Sequence, residues 1–558
     1  MSRFRSALLF VLATVLAGPA AAQLPTYGLA AAVGDDAVFV GQPLSFDGPG
    51  AVFVFERGAD GAWAETHLLT APDGVFGDGF GGALALDGAR LLVGAASQSP
   101  FPNAPPPSAF VFERDADGRW QRTARLVLDP PVPTFGLRVA LEGDVALVSA
   151  FAEDQMAGAA YVFRHANGTW TQEARLQPAA AEAGHRFGMA VALDGGRALI
   201  GAPGDGPSGA AYVFRHDGGA WTQEARLAHD DLGEDAGLGS AVYLHGDDAL
   251  AGAPGAETVA LFHAEGDGWM PHGALQPFVA TPGFGSALAV TTDGILVGAP
   301  AGTSQPGAAY LFRHDADGSW TSAARLPATE PQTADLFGSA TAARGDRAVV
   351  SAPGGDYSLG RVSVFERDAA GAWHEAAVLF STTDPMASVT GEPRPCQGGE
   401  AAAFGCDRVD LISFLSVEDL GGRRGVIVND LWGWTDPQTE GEYAVVGRND
   451  GTVFIDLSDP ANPIYLGFLP RTEGSPAATW RDVKVYRDHA FIVADGSGAH
   501  GMQVFDLTRL RDVQNPPVTF TPDVRYEGIA SAHNIAINEE TGIAYAVGSS
   551  SGGETCGG

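Results

Sequence analysis

Short runs of alternating hydrophobic and polar residues recur along the first two thirds of the chain, at intervals of about fifty residues. In one copy Met189, Val191 and Leu193 alternate with small or polar neighbours, which is the period of a half-buried β-strand. Asp194-Gly195 then marks a turn, and Ala202-Pro203 ends the next strand because proline cannot donate to a ladder. Two further strands follow, so each copy predicts four short strands in up-and-down order.

A single tryptophan marks each copy. The seven are Trp63, Trp120, Trp170, Trp221, Trp269, Trp320 and Trp373. Successive members are 57, 50, 51, 48, 51 and 53 residues apart. Four-stranded antiparallel units repeated at this period are typical of the blades of a closed ring. The sequence therefore predicts an all-β protein with a seven-bladed β-propeller over residues 24–380, in which these tryptophans pack between blades.

Each copy opens on a bulky apolar residue followed by glycine. The pairs are Tyr27-Gly28, Phe80-Gly81, Phe135-Gly136, Phe187-Gly188, Leu238-Gly239, Phe284-Gly285 and Phe337-Gly338. Gly-Ala-Pro triplets follow at 201–203, 252–254 and 298–300, with degenerate copies at 94–96 and 351–353. These motifs resemble the FG-GAP repeats of integrin α-subunit propellers and of many exported bacterial proteins. The resemblance implies the propeller fold and no particular function.

Integrin-type repeats often carry a calcium loop of the Asp-x-Asp-x-Asp-Gly kind between the two motifs. Here that interval holds only a tight turn, such as Asp194-Gly195 or Asp293-Gly294. Asp-Ala-Asp-Gly does occur at 115–118 and 315–318, but on the other side of the Gly-Ala-Pro position and without the further oxygen ligands that calcium needs. We interpret both as hairpin turns and expect no cofactor, with calcium as the open alternative.

A different β pattern follows a linker at 381–394 and extends over residues 395–558. Strands are predicted at 443–447, 452–457, 480–485, 489–493, 502–507, 532–537 and 543–548. These make about three units, too few to close a second ring, so we expect a partial second β-propeller. We also expect that the sequence is a fragment of a longer protein and that the partner of Cys556 lies in the part not given.

The second region resembles the propeller repeats of the choice-of-anchor B family of bacterial surface and secreted proteins. The residues that carry the resemblance are Pro395-Cys396, Cys406, Val409-Asp410-Leu411, the segment 429–435, Trp480-Arg481-Asp482, the segment 500–507 and His533-Asn534-Ile535. The resemblance implies a protein at the cell surface or secreted from the cell.

The N-terminus has the pattern of an export signal. Arg3 and Arg5 precede a short apolar run, and Ala20-Ala21-Ala22 fits the cleavage pattern, so residues 1–22 are predicted to be a signal peptide. No later run reaches about twenty apolar residues. We therefore expect an extracellular or cell-surface protein, in which Cys396 and Cys406 form a local disulfide.

The charge balance narrows the range of partners. With 33 basic and 67 acidic residues, the formal net charge is −34. Nucleic-acid binding needs a basic surface, and an anionic membrane would repel this chain, so both classes of partner are excluded. An unknown extracellular protein or glycan is the expected partner.

Three histidines recur in the second region and are the weak candidates for metal binding or catalysis: His489, His500 and His533, with Asp482, Asp488 and Asp495 nearby. They would have to gather at the propeller axis as metal ligands or as an acid–base set. None has a dedicated spacing such as His-Glu-x-x-His, so structural roles are favoured. The sequence also has no phosphate loop, no Gly-x-Ser-x-Gly elbow and no zinc-type cysteine pair.

The repeat array without a catalytic motif favours a binding, adhesion or scaffold module that acts through propeller loops and has no catalytic activity. The alternative is a propeller-type hydrolase or metal-dependent enzyme with an axial His/Asp site in the second domain. A third hypothesis, sugar binding through exposed aromatic rings, requires Trp432 and Trp434 at the surface.

Overall fold

The computed structural model describes residues 26–550, apart from 45–48, 98–104, 267, 303–304, 316–319, 330, 333, 382–386, 403 and 424. The predicted signal peptide, Cys556 and part of the predicted linker lie outside the described residues. The chain divides into two compact units, Met1–Thr382 and Thr383–Gly558.

Seven antiparallel sheets, each of four strands in sequence order, form the first unit. Blade one contains β1 (Ala30–Val33), β2 (Ala37–Gln42), β3 (Ala51–Arg57) and β4 (Trp63–Thr70). Blade two contains β5 (Phe80–Asp87), β6 (Arg90–Ala95), β7 (Ser108–Arg114) and β8 (Trp120–Leu126). Blade three contains β9 (Val139–Glu142), β10 (Val145–Ala150), the short helix α1 (Glu153–Met156), β11 (Ala159–Ala166) and β12 (Thr169–Leu176).

The remaining blades repeat this arrangement. Blade four contains β13 (Ala190–Asp194), β14 (Arg197–Ala202), β15 (Ala210–Asp217) and β16 (Ala220–Leu227). Blade five contains β17 (Ala241–His245), β18 (Asp248–Ala253), β19 (Thr258–Glu265) and β20 (Gly268–Leu275), with 3₁₀ turns at Asp230–Leu232 and Pro254–Ala256. Blade six contains β21 (Ala287–Thr291), β22 (Gly294–Ala299), β23 (Ala308–His314) and β24 (Trp320–Leu326). Blade seven contains β25 (Thr341–Arg344), β26 (Arg347–Ala352), α2 (Gly355–Ser358), β27 (Arg361–Arg367) and β28 (Trp373–Leu379).

The ring closes between blade seven and blade one. Val349 and Val364 of blade seven share one buried cluster with Val38 and Phe53 of blade one. Arg347 Nη1 donates to the backbone carbonyl of Asp35 at 3.0 Å across the same junction. Closure buries both faces of every blade and leaves no long unpaired edge. The predicted all-β, seven-bladed propeller of four-stranded blades is confirmed.

The two glycines of the repeat motif set the spacing between neighbouring blades. Gly239 has a φ of +91°, and its amide donates to the carbonyl of Gly252 in its own blade at 2.9 Å. Its own carbonyl oxygen would lie 1.9 Å from a β-carbon added to Gly201 of the preceding blade. Only glycine fits both positions, because one needs a positive φ and the other a close backbone approach. The preceding apolar residue, Leu238, is fully buried.

The second unit begins with two short hairpin strands, β29 (Glu400–Ala401) and β30 (Phe404–Gly405). The next strands are β31 (Val428–Thr435), β32 (Glu442–Arg448), β33 (Gly451–Asp456), β34 (Ile464–Pro470), β35 (Arg481–Tyr486), β36 (His489–Ala494) and β37 (Met502–Asp506). A 3₁₀ helix at Leu507–Asp512 precedes β38 (Val518–Thr519), β39 (Val524–Tyr526), β40 (Asn534–Asn538) and β41 (Ile543–Val547). Three blade-like sheets result, in the orders β31-β32-β33-β34-β38, β35-β36-β37-β39 and β40-β41.

Aromatic packing and one disulfide stabilise this second unit. Phe454, Phe505 and Phe520 pack against one another with ring centroids 4.4 to 5.4 Å apart. Cys396 and Cys406 form a disulfide around the β29–β30 hairpin. These contacts stabilise both the core of the second unit and the segment that precedes β31.

Candidate functional site

The first strands of the three sheets in the second unit are joined by acidic side chains. Oδ2 of Asp430, in β31, accepts a hydrogen bond from the backbone amide of Val483 in β35 at 3.0 Å. Oδ2 of Asp482, in β35, accepts one from the amide of Ile535 in β40 at 2.6 Å. The two acids are 52 residues apart, and Asn534 follows at the same interval. Equivalent positions of successive blades therefore meet along one row.

Asp430, in β31, and Asp482, in β35, influence each other's ionisation and form what we call the carboxyl pair. Burial first, and then the neighbouring Asp482 carboxyl group, raise the pKa of Asp430 above its ordinary value. Burial is the largest single influence on Asp482 and acts to raise its pKa. Lys484, the Ile535 amide and Asp430 together outweigh that influence and hold the pKa of Asp482 below its ordinary value. Asp430 is thus the member with the higher pKa, and Asp482 is the member that ionises first as the pH rises.

Lys484 is the positive group of this site and the only lysine of the chain. Its Nζ lies 2.8 Å from Oδ1 of Asp482 and 4.3 Å from the ring centroid of Trp432. Asn534 Nδ2 lies 3.4 Å from Oδ2 of Asp482. Trp432 and Asn534 are exposed, Asp430 is half-buried and Asp482 is buried. Trp434 is buried against Tyr443, so only one of the two tryptophans of the sugar-binding hypothesis lies at the surface.

Two carboxyl groups that share one proton can act as an acid and a base at the same time. Two such groups in direct contact do not both ionise, and their different surroundings decide which one holds the proton. The ionised member can take a proton from water while the protonated member gives one to a substrate. The carboxyl pair, with Lys484, Trp432 and Asn534 beside it, is therefore the candidate active site.

His500 is fully buried and has a structural partner set. Its Nε2 lies 2.9 Å from Nη1 of Arg481, which can only donate, so Nε2 is the acceptor and Nδ1 carries the hydrogen. Nδ1 donates to the carbonyl of Gly501 at 2.9 Å. Burial and the neighbouring Arg481 lower the pKa of His500 to about 4, so the ring is neutral. It orients Arg481, whose Nε donates to the carbonyl of Arg448 at 2.9 Å.

The other two candidate histidines have separate partners. His533 is exposed, and its Nδ1 lies 2.8 Å from Oδ2 of Asp495. His489 begins β36 and lies opposite Asp506 in the register with β37. In the part of the chain that the structure describes, no three histidine, cysteine, aspartate or glutamate side chains are placed to hold a metal ion. The sequence hypothesis named Asp482 only as a neighbour of these histidines and did not include Asp430.

A signal for the carboxyl pair was present in the sequence. Asn429-Asp430, Arg481-Asp482 and His533-Asn534 stand at one interval and open equivalent strands. The histidines have no such regular spacing, whereas these acidic and amide side chains do. The 52-residue interval indicates contact between these side chains only once β31, β35 and β40 are known to be neighbouring strands.

The seven repeat tryptophans all lie at or next to the start of a fourth strand. Trp120 and Trp269 are buried and the other five are half-buried. Three of them carry an arginine of the preceding blade over the ring: Arg90 over Trp170, Arg197 over Trp269 and Arg347 over Trp63. Each such pair joins two neighbouring blades.

The described residues include no helix with the length and apolar character needed to span a membrane.

The FG-GAP repeat family model matches residues 63–112, 133–163, 170–214 and 320–365. The chain therefore carries FG-GAP repeats, as predicted from the motifs. The resemblance of residues 395–558 to the choice-of-anchor B family stays a prediction, and no curated protein matches the sequence.

Several solved structures have a similar arrangement of strands. The periplasmic gluconolactonase of Pseudomonas aeruginosa is 16% identical over 64% of this chain and 95% of its own, with a TM-score of 0.43. A putative 6-phosphogluconolactonase from Bacteroides uniformis is 13% identical over 59% of this chain and 92% of its own, with a TM-score of 0.43. Hsv2 of Kluyveromyces lactis is 11% identical over 64% of this chain and 99% of its own, with a TM-score of 0.41. At these identities the likeness concerns the fold alone.

The prediction of a non-catalytic adhesion or scaffold module is wrong. It rested on a repeat array that lacks a catalytic motif, yet the similar structures include one named as a gluconolactonase and one named as a putative 6-phosphogluconolactonase. The absence of a short catalytic motif does not by itself exclude catalysis. Of the hypotheses drawn from the sequence, the hydrolase alternative fits these findings better.

Proposed function

We propose that the second unit is a hydrolase that uses the carboxyl pair as its general base and general acid. One observation carries the proposal: Asp430 and Asp482 stand at equivalent positions of the neighbouring strands β31 and β35, and Nζ of Lys484 lies 2.8 Å from Oδ1 of Asp482. This arrangement divides the roles, because the lysine favours the charged form of Asp482 and burial favours the neutral form of Asp430.

The substrate class is a small carboxylic ester, open or cyclic. Asp482 takes a proton from water as the water oxygen attacks the ester carbonyl carbon, and Asp430 gives its proton to the carbonyl oxygen. The neutral tetrahedral intermediate then collapses. Asp482 returns its proton to the leaving alkoxide, and Asp430 recovers one from a hydroxyl of the intermediate. Acid and alcohol are released, and the proton is back on Asp430.

The neighbouring residues have supporting roles in this proposal. Lys484 is a positioning residue, because it acts on the reaction through the charge of Asp482. Trp432 offers a flat apolar surface next to the pair, on which the body of a substrate can lie. No metal or other cofactor is needed for these steps.

We also propose that the protein works outside the cytoplasm, as the N-terminal signal pattern and the resemblance to choice-of-anchor B proteins imply. Expression with the native N-terminus and sequencing of the released protein tests this. A mature chain that begins at Gln23 supports export, and an uncleaved chain retained in the cytoplasm contradicts it.

The activity is tested with the full chain on a panel of small esters and lactones. Asp482→Asn is the informative variant, because an amide oxygen still accepts the Ile535 amide while it cannot take a proton from water. Asp459→Asn is the matched control, since Asp459 is an exposed turn residue bonded to Ala461 and Asn462. Hydrolysis that is lost in Asp482→Asn and kept in Asp459→Asn supports the proposal. Hydrolysis that Asp482→Asn leaves unchanged, or no turnover of any member of the panel, contradicts it.

A further inference from the structure

Three junctions of the first propeller share one interaction. Arg90, Arg197 and Arg347 each begin the second strand of a blade. The guanidinium carbon of each lies over the repeat tryptophan of the next blade, 5.4, 5.5 and 4.8 Å from the ring centroid. An acidic side chain of the arginine's own blade faces the same cation, as in the 3.1 Å contact between Arg197 and Glu224. A cation between a carboxylate and an indole is therefore a recurring feature of this ring.

The junction of blades five and six is one of four that lack this arginine: the second strand begins with Ala37, Val145 and Gly294 at the other three, and with an acidic residue only here. Asp248 begins the second strand of blade five, where Arg197 stands in blade four. His272 occupies the bulge of the fourth strand, where Glu224 stands in blade four. The internal cation is thus replaced by an anion, and its carboxylate partner by an imidazole.

A cavity of about 630 Å³ lies at this junction. Asp248, His263, His272 and Tyr243 line it from blade five, and Trp320 lines it from blade six. Oδ1 of Asp248 accepts from Nδ1 of His263 at 2.7 Å. The volume lies within the range of ordinary small-molecule sites.

The indole of Trp320 also contacts His314, with ring centroids 3.7 Å apart. At Trp170 an imidazole and a guanidinium contact one indole together, His165 at 5.1 Å and Arg90 at 5.4 Å. Among the described residues, no arginine or lysine lies over Trp320. Trp320, the equivalent of the tryptophans that a guanidinium covers at three other junctions, here lines the cavity.

We propose that the cavity between blades five and six binds an alkylguanidinium or alkylammonium ligand in the place that an arginine takes at three other junctions. The head of the ligand would lie between the ring of Trp320 and the carboxylate of Asp248. Its alkyl stem would lie against the apolar side chains of Leu250, Leu261 and Ile295, which line the same cavity. A net charge of −34 raises the local concentration of such cations around the protein.

The probe is N-butylguanidinium, and its neutral isostere N-butylurea is the matched control ligand. Calorimetric titration of the full chain is expected to give saturable binding of the guanidinium at one site, about tenfold tighter than of the urea. Asp248→Arg should abolish the binding because it supplies the internal cation. Asp248→Asn should weaken it about tenfold, and Asp60→Asn, in an exposed turn of blade one, should leave it unchanged.

Equal affinity for the guanidinium and the urea overturns the proposal, and so does guanidinium binding that persists in Asp248→Arg. Absence of saturable binding at millimolar ligand also overturns it. A thermal unfolding curve of each variant separates loss of the site from loss of the fold. The site is independent of the proposed hydrolase, since it lies in the first unit and is measured by binding rather than turnover.

Discussion

The ammonium group of Lys484 lies 2.8 Å from Oδ1 of Asp482, and it belongs to the only lysine of the 558 residues. Oδ2 of the same carboxylate accepts the amide of Ile535 at 2.6 Å, so both oxygens have a donor. Asp430, on the neighbouring strand, has the opposite tendency, because partial burial and the nearby Asp482 carboxyl group raise its pKa. The division between base and acid follows from this difference in surroundings.

Replacing Lys484 by methionine removes the charge that favours ionised Asp482 and keeps much of the side-chain volume. The pKa of Asp482 should rise, because a lowered pKa is restored when its cationic partner is lost. The acid limb of the ester-hydrolysis profile should therefore move to higher pH. In Lys484→Arg, which keeps the charge, the acid limb should lie at the same pH as in the unmodified protein. An acid limb at the same pH in Lys484→Met would show that the lysine has no such role.

Asp430→Asn removes the proposed general acid and keeps the oxygen that accepts the Val483 amide. The turnover number should fall by about 10² to 10⁴-fold, which is the usual contribution of a positioned acid or base. The unfolding temperature should change little, since the bond between the strands remains. Full activity in this variant contradicts the assignment of Asp430 as the acid.

Gly201→Ala tests the packing role of the repeat glycines. A β-carbon there meets the carbonyl oxygen of Gly239 at 1.9 Å, so the two blades must move apart. We expect a loss of about 1–3 kcal/mol in the free energy of unfolding, measured in urea. Gly268→Ala is the control, because nothing lies within 4 Å of its added carbon. Equal effects of the two substitutions would mean that the close approach does not matter.

The double variant Asp248→Arg, His272→Glu rebuilds at the junction of blades five and six the arrangement found between Arg197, Glu224 and Trp269. The arginine should fill the cavity and cover Trp320. A gain of about 0.5–2 kcal/mol in stability is expected from the cation–π contact. Urea denaturation measures it, with His272→Gln alone as the control. A double variant less stable than the unmodified protein contradicts the structural equivalence of these junctions.

Asp436 and Arg511 link stability to acid pH in the second unit. Arg511 Nε lies 2.7 Å from Oδ2 of Asp436, and this pairing holds the pKa of Asp436 well below its ordinary value of 3.8. The stabilisation is complete above that ordinary value and is lost as the pH falls below it towards the pKa of the folded state. Unfolding temperatures measured on acidification should fall less steeply in Asp436→Asn, which has no charge to lose. Parallel curves for the two proteins would contradict this linkage.

The propeller could be predicted because each repeat of about fifty residues contains its own strand and turn signals. Each copy contains its own strands, turns and apolar–glycine pair, and the spacing of the tryptophans counts the blades. The reason for the two glycines could not be obtained in the same way, since Gly201 and Gly239 meet only when neighbouring blades pack. The sequence motif indicates where the contact lies, and the backbone approach explains it.

The candidate site depended on contacts between blades and was harder to find. His500 attracts attention in the sequence, but in the structure it is buried and neutral against Arg481. Asp430 does not, because it comes near Asp482 only when β31 and β35 are adjacent strands. Asp248, at the position where three other blades have arginine, lies beside a cavity that becomes evident only when the blades pack.

The most direct test of the central claim is the pH dependence of kcat/KM for ester hydrolysis by the full chain, with Asp482→Asn and Asp430→Asn measured alongside. We expect a bell-shaped profile for the unmodified protein, since the proposed mechanism needs Asp482 ionised and Asp430 protonated. In both variants kcat/KM should fall by about 10² to 10⁴-fold while they unfold at nearly the same temperature as the unmodified protein. A profile of equal height and shape in either variant would contradict the claim that the carboxyl pair is the catalytic site.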